Sequence, residues 1–299
     1  MGYQVQTVVD LEKCTGCGRC VAVCPSECLA LVDGRCRVVK DRCMHCGQCG
    51  AVCADGAVRV TDLTVPVPAA IQTNDRAAQL FQIVSMRRSC RNYTQAPVST
   101  GILQDLVTFG LWAPSGTNAQ KWAFTILPDR AAVVSFAVAV AAFYRRTNRQ
   151  AENPLLRLYT KLFRGDVLGR YRRRYYDQIR DALDRFDHRG EDLLFHGATA
   201  AIVISVDQSA SCAHDDAIHA AQNIVLAAEA MDLGSCLIGF AVEAARRDRR
   251  IGQHLQLPAG HHIYSVVAIG HPRYPYPHPS GRRPLSPRIV SAKDTGGLS

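Results

Sequence analysis

Residues 14–28 read CTGCGRCVAVCPSEC, five cysteines in fifteen positions. Four of them, Cys14, Cys17, Cys20 and Cys24, are followed by Pro25 and give the spacing C-x2-C-x2-C-x3-C-P; the same spacing returns twenty-nine residues later at Cys43, Cys46, Cys49 and Cys53. An internal repeat of ligand spacing points to bound metal. Zinc sites favour two separated C-x-x-C pairs, which four tightly spaced cysteines and a proline fit poorly. Gly16, Gly18 and Gly47 tolerate positive φ beside the thiols and let backbone amides turn towards sulfur. Thirteen cysteines with no charged and apolar leader argue for free thiols in a reducing cytoplasm rather than a disulfide framework. Cys28 and Cys36 fall outside both runs and read as small buried hydrophobes.

Over residues 5–62 the paired runs resemble a two-cluster bacterial ferredoxin, in which three thiolates of one run bind a 4Fe-4S cluster and the fourth crosses to the other. The resemblance implies Cys14, Cys17, Cys20 and Cys53 around one cluster, with Cys43, Cys46, Cys49 and Cys24 around the second. Ala54 stands where the family carries a second proline, a departure in turn shape and not in ligation.

The remaining chain is long enough for a separate core, since 299 residues at 47% hydrophobic suit two domains. The stretch TDLTVPVPAAIQTND, 61–75, has two prolines and no helical period, so a ferredoxin-like domain at 1–62, a linker at 63–75 and a second domain at 76–299 are expected. Asn74 or Asp75 can cap a helix through RAAQLFQIVSM, and Ser99 or Thr100 another through GILQDLVTFGLW. Strand-like runs occur at WAFTILP, TAAIVISV and HIYSVVAIG. A long alanine-rich helix places Ala217, Ile218, Ala221, Ile224, Val225, Ala228 and Met231 on one face and ends at Gly234. Helices and strands alternate, so an α+β fold follows. The apolar run from Ala131 to Tyr144 is too short for a bilayer and reads as a buried helix, so no transmembrane segment is expected.

Three local patterns stand out in this half: MRRSCRNY (86–93), APSGTNAQKW (113–122), and DLGSCLIGF (232–240) with AIGHPRY (268–274). In this order they resemble the nitroreductase family of FMN-dependent enzymes over about residues 76–285. The resemblance implies an α+β domain that forms a homodimer and holds FMN at the subunit interface. Arg87, Arg88, Ser89 and Arg91 would meet the flavin's phosphate, ribityl chain or pyrimidine edge, and Arg273 would join at the phosphate. Pro114, Ser115 and Asn118 would contact the ring system from the other subunit, and Ile238 and Gly239 would lie against it with a backbone amide near N5. Lys121 replaces a proline common in the family; it either stabilises a reduced anionic flavin or points to solvent. Cys90 and Cys236 lie inside these motifs and read as packed, inert thiols. No spacing makes His214, His219 or His271 a metal site, and no residue stands out as catalytic.

The formal charge is +9, of which +6 falls between Arg145 and Glu191, where 13 Lys or Arg face 7 Asp or Glu; residues 1–70 balance at 7 against 7. An insertion at about 143–194 reads as amphipathic helices with Tyr175, Ile179, Ala182 and Phe186 buried. It suits a substrate lid, a surface for an acidic donor, or a solvated face laced by Arg and Asp; neither redox domain needs nucleic acid.

No G-x-G-x-x-G and no P-loop occurs. The two resemblances together imply a cytoplasmic, ferredoxin-coupled oxidoreductase with FMN and two 4Fe-4S clusters. Electrons would pass from clusters to FMN and on to an electron-poor small molecule such as a nitroaromatic, quinone or enone. The same parts run backwards make a dehydrogenase that reduces ferredoxin, and without a small substrate they make an electron-transfer module for a protein partner.

Overall fold

A computed structural model describes residues 7–44, 46–61, 63 and 75–291. The chain divides into two compact units, Met1–Met86 with Tyr276–Ser299, and Arg87–Pro275. The end of the chain from Tyr276 is therefore grouped with the cysteine runs, whereas the sequence assigns it to the second domain. Most of the expected linker at 63–75 lies outside the described residues.

In the first unit, two short antiparallel pairs carry the cysteine loops: β1 (Thr7–Val9) with β4 (Val58–Val60), and β2 (Leu29–Val32) with β3 (Arg35–Val38). Each run opens a one-turn helix, α1 (Arg19–Ala22) and α2 (Gln48–Val52). Both start on a left-handed glycine, Gly18 at φ 72° and Gly47 at φ 68°, so the repeat in sequence is a repeat in backbone. Gly47 also lacks room: a Cβ there would lie 2.2 Å from the Ser280 carbonyl oxygen. The Tyr276 hydroxyl bonds Gln48 Oε1 at 3.3 Å and the His278 N–H reaches the Ala51 carbonyl at 3.4 Å, laying the chain's end along α2. Helix α3 (Arg76–Met86) is capped by Asp75, whose carboxylate accepts from the Ala77 and Ala78 amides at 2.9 and 3.1 Å; Asn74 lies outside the described residues.

The second unit is built on one antiparallel sheet ordered β5-β6-β8-β7, with β5 at Trp122–Leu127, β6 at Ala200–Asp207, β7 at Gly234–Leu237 and β8 at His261–Gly270. Alternation along the central strands splits their side chains between two cores. Ala201, Val203, Val266 and Ala268 pack with Phe136, Val140 and Phe195, while Ala200, Ile202, Ile204, Val267 and Ile269 pack with Leu103, Leu106 and Ile224. Helices α4 (Thr100–Leu111) and α9 (Ala213–Ala230) cover one face; α5 (Arg130–Glu152), α8 (Tyr176–Arg189), α10 (Gly239–Arg247) and α11 (Arg249–His254) belong to the other core. Ser99, not Thr100, caps α4 by accepting from the Ile102 amide at 3.3 Å.

Three expectations need correction. Ile218 is exposed, off the buried face of α9. That helix does not end at Gly234: Asp232 takes the left-handed turn at φ 57° and the Leu233 N–H returns to the Ala228 carbonyl at 2.8 Å. Gly234 instead starts β7, a strand too short to show a period, and pairs with Gly270. A Cβ on Gly234 would lie 2.7 Å from Cys90 Sγ, and one on Gly270 2.8 Å from Tyr93 Cδ1, so these glycines admit the segment carrying the arginines. Gly234→Ala should overpack this contact and cost about 1–3 kcal/mol, read as a lower midpoint in urea at unchanged slope. The third concerns the insertion: α5 is one continuous helix, so the boundary expected near residue 143 falls within it.

The insertion continues through α6 (Pro154–Phe163), α7 (Val167–Arg174) and α8. Ile179 and Tyr176 are buried, with Tyr175, Leu183 and Phe186 packed alongside. Its charges are paired across and along the helices: Arg145 with Asp187, Arg173 with Asp166 at 2.7 Å, Arg185 with Glu191 at 2.7 Å and with Asp181 at 3.6 Å. Arg172 also lies over the Tyr176 ring, 4.7 Å from its centre.

Candidate functional site

The two cysteine runs approach one another in the fold. Burial first, then the thiols of Cys36 and Cys53, push Cys20 up to about 12. Burial likewise pushes Cys49 up to about 12, with Cys46, Cys24 and Cys43 as the neighbouring thiols. The fold thus brings Cys53 to the first run and Cys24 to the second. Backbone donors point at ligand sulfurs: Cys36 N–H to Cys14 Sγ at 3.4 Å, Cys28 N–H to Cys24 Sγ at 3.3 Å and Ala57 N–H to Cys53 Sγ at 3.2 Å. Such donors suit anionic thiolates round a cluster. Among the described residues no three His, Cys, Asp or Glu groups converge on a single-ion site, and all thirteen cysteines are unbridged. The donor chemistry and the crossing fit 4Fe-4S ligation.

In the second unit the arginine segment lies along the edge of the sheet at β7. Ser89 forms a parallel bridge to Ser235, the Cys90 N–H bonds the Ser235 carbonyl at 2.8 Å, and Tyr93 bridges Pro272. The Arg273 N–H then bonds the Asn92 carbonyl at 2.8 Å. These pairings, between residues about 140 to 180 apart in the chain, gather Arg87, Arg88, Ser89, Arg91 and Arg273 along one edge. Arg88 is buried. Glu229, near the end of α9, was not anticipated: burial raises its pKa while Arg88 and Arg87 nearby lower it. A cationic edge of this kind, rich in forked donors, fits a phosphate.

Ile238 and Gly239 stand at the start of α10. The Ile238 amide is taken by the Val266 carbonyl at 2.8 Å, but Gly239 is the first helical residue, where the N–H has no partner inside the helix. A Cβ on Gly239 would meet nothing within 4 Å, so the space before it is open. Both residues line a cavity of about 330 Å³ between α9, α10 and β8, with His214, Ile218, Glu243, Arg246 and Tyr264 among the other walls. His214 and Glu243 carry no sequence signal for this position.

Pro114, Ser115 and Asn118 sit at the end of α9 that carries His214 and Ile218, away from the arginine edge. Their turn, a single 3-10 turn at Gly116–Asn118, is held by buried Asp216, whose Oδ1 accepts the Gly116 N–H at 2.8 Å. Thr117, Asn118 and Gln120 all have positive φ, between 50° and 54°, so the turn is strained and Asp216 pins it. Asp216 and Glu229 lie on the same helix thirteen residues apart, about 20 Å at 1.5 Å per residue. One chain therefore keeps this turn and the arginine edge at opposite ends of α9.

Lys121 bonds the Ser209 hydroxyl at 2.9 Å and is exposed. Cys90 and Cys236 are buried, and burial pushes Cys90 up to about 11 and raises Cys236; both are packed thiols. His196, at φ 58°, is another residue the sequence did not single out: burial, then Arg91, lowers it to about 4, with Asp192 opposing. Between pH 6.5 and about 4 the unfolded chain takes up a proton that the folded site refuses, so stability falls as pH drops through that window. His196→Asn, which tolerates the left-handed backbone, should flatten this part of a melting-temperature profile and leave it unchanged above pH 7.

Residues 84–271 match the nitroreductase family, and residues 6–54 match a 4Fe-4S dicluster domain. The chain belongs to the nitroreductase family. This nitroreductase-family chain is 29% identical over 206 residues to a protein named NADH dehydrogenase from Thermus thermophilus, covering 68% of this chain and 91% of that one. Its front end is 54% identical over 35 residues to Ferredoxin-2 of Desulfomicrobium norvegicum, 12% of this chain and 56% of the ferredoxin. Among solved structures, a nitroreductase with bound FMN from Bacteroides fragilis is similar at 19% identity and a TM-score of 0.48, over 74% of this chain and 99% of that one. No described helix is long and apolar enough to cross a membrane.

Proposed function

We propose that this member of the nitroreductase family is a ferredoxin-coupled, FMN-dependent oxidoreductase that reduces an electron-poor small molecule of the nitroaromatic, quinone or enone class. The observation that carries it is the coexistence, in one chain, of two cysteine runs that bring Cys53 towards Cys20 and Cys24 towards Cys49, and an arginine-lined sheet edge with an open helix start at Gly239. When bound, two 4Fe-4S clusters supply one-electron transfer, and FMN supplies exchange between single electrons and a hydride equivalent.

The protein's own groups do the rest. Cys14, Cys17, Cys20 and Cys53 would hold one cluster, and Cys24, Cys43, Cys46 and Cys49 the other. Arg87, Arg88, Arg91 and Arg273, with Ser89, would fix the FMN phosphate end by forked, charge-assisted hydrogen bonds. The free amide at Gly239, beside Ile238, would face the ring and stabilise charge there. Pro114, Ser115 and Asn118 would serve the partner subunit's flavin, as the family resemblance implies, which makes the working unit a homodimer. No side chain is assigned as a proton donor.

Anaerobic protein should contain about eight iron, eight sulfide and one flavin per chain, and should reoxidise with small acceptors after reduction by a low-potential ferredoxin. Reoxidation only on addition of a protein partner would defeat the enzyme reading. The likeness to the Thermus NADH dehydrogenase favours a second reading, in which NADH delivers hydride directly at the flavin; NADH-driven turnover that survives loss of the clusters would select it.

A further inference from the structure

Helix α6 (Pro154–Phe163) is turned the wrong way round for a helix in water. Leu155, Leu158, Tyr159, Leu162 and Phe163 recur at spacings of three and four and so share one face, and that face is outermost: Leu155 is 75% exposed, Leu162 66% and Phe163 70%. The opposite side, with Arg157 and Thr160, is half-buried, and Arg157 Nε is buried without a hydrogen-bond partner. Half a turn of rotation would put the large apolar side chains inside and the guanidinium in water, which burial energetics favour twice over. The helix is nevertheless well fixed. Asn153 Oδ1 accepts from the Leu155 and Leu156 amides at 2.9 and 3.2 Å, Pro154 takes the first position, and the Tyr159 and Phe163 rings lie 5.3 Å apart. An apolar face of this size on a capped helix marks a contact surface.

Charge says what meets it. From Pro154 to Arg174 seven Lys or Arg stand against one acid, Asp166, which Arg173 takes at 2.7 Å. Lys161, Arg164 and Arg170 are exposed and form no ion pair among the described residues. Lys161 comes one turn after Leu158 and Arg164 directly after Phe163, so cations on long stems border the apolar stripe. A second copy set against this face across a two-fold axis would bring like charges together. An anionic lipid surface offers both things the face asks for, an apolar layer for the stripe and phosphate-bearing headgroups for the cations. Ten residues rise about 15 Å, half the hydrocarbon thickness, so the helix can lie in such a surface and cannot span it. We propose that α6, with the cations of α6 and α7 around it, is an interfacial anchor that holds the protein reversibly on an anionic membrane surface.

The test is co-sedimentation of the full-length holoprotein with lipid vesicles. It should bind vesicles of phosphatidylcholine mixed with phosphatidylglycerol, bind poorly to phosphatidylcholine alone, and let go as salt rises. Leu162→Asp with Phe163→Asp, at two exposed side chains, should lower the partition coefficient at least about 100-fold with melting temperature and subunit number unchanged. Lys161→Gln with Arg164→Gln should lower it about 25-fold on the mixed vesicles, about fivefold for each cation, and leave the weak binding to phosphatidylcholine alone as it was. No binding to the mixed vesicles, or binding that both double variants leave intact, would overturn the proposal. So would a change of subunit number in the aspartate variant, which would give the face to a second copy. The third contrary result is an unsubstituted protein that ignores vesicles while the glutamine variant is reduced more slowly by an acidic ferredoxin, which would give the face to a protein partner.

Discussion

Replacing Arg87 and Arg88 together with alanine should release the flavin while leaving iron and sulfide at full content. Each guanidinium is expected to make a hydrogen bond to a dianionic phosphate, and bonds to charged groups contribute about 1.5–3 kcal/mol each. Losing two should weaken FMN binding by at least about 100-fold, measured as flavin per chain after desalting and by fluorescence titration of the stripped protein. Arg88 is buried, and Glu229 shares its surroundings, so the double variant also leaves a carboxylate without its two nearby cations. Glu229→Gln in the same background removes that secondary penalty. Flavin that stays stoichiometric in the triple variant would refute the phosphate assignment.

Cys53→Ala should remove about half the iron, and the half it removes should belong to the first run. The crossing makes this a question of which pairs are redundant. Cys53→Ala combined with Cys17→Ala should lose no more iron than either alone, because both act on one cluster. Cys53→Ala combined with Cys46→Ala should leave almost none. Ligation that stays within each run would reverse the two results. Flavin should remain stoichiometric in all of these variants, since the cysteines and the arginine edge belong to separate compact units.

Local chemistry made much of this molecule legible. The cysteine repeat is written in spacings of two and three residues, and Gly18 and Gly47 within it take the left-handed backbone expected of them. Helices α3 and α4 begin at Asp75 and Ser99, where capping side chains sit next to the amides they serve. β5, β6 and β8 showed themselves as runs of apolar residues long enough to register. β7 did not: four residues carry no period, and Gly234 imitates a helix end. The packed face of α8 was read largely right: Tyr175, Ile179 and Phe186 meet the core, and only packing chose Leu183 over its neighbour Ala182.

By itself, the sequence determined what depends on near neighbours: the repeated cysteine spacing, the left-handed glycines within it, the caps, the two-part organisation and the family of each part. Only the tertiary structure decided which residues distant along the chain share a site. It brought Arg273 to Asn92 and Ser89 to Ser235, set Glu229 beside two arginines, and pinned the 114–118 turn with Asp216. The physical reason is range. Spacing encodes contacts within a turn or two of chain, whereas these partners meet only after a sheet has paired its strands and buried both faces.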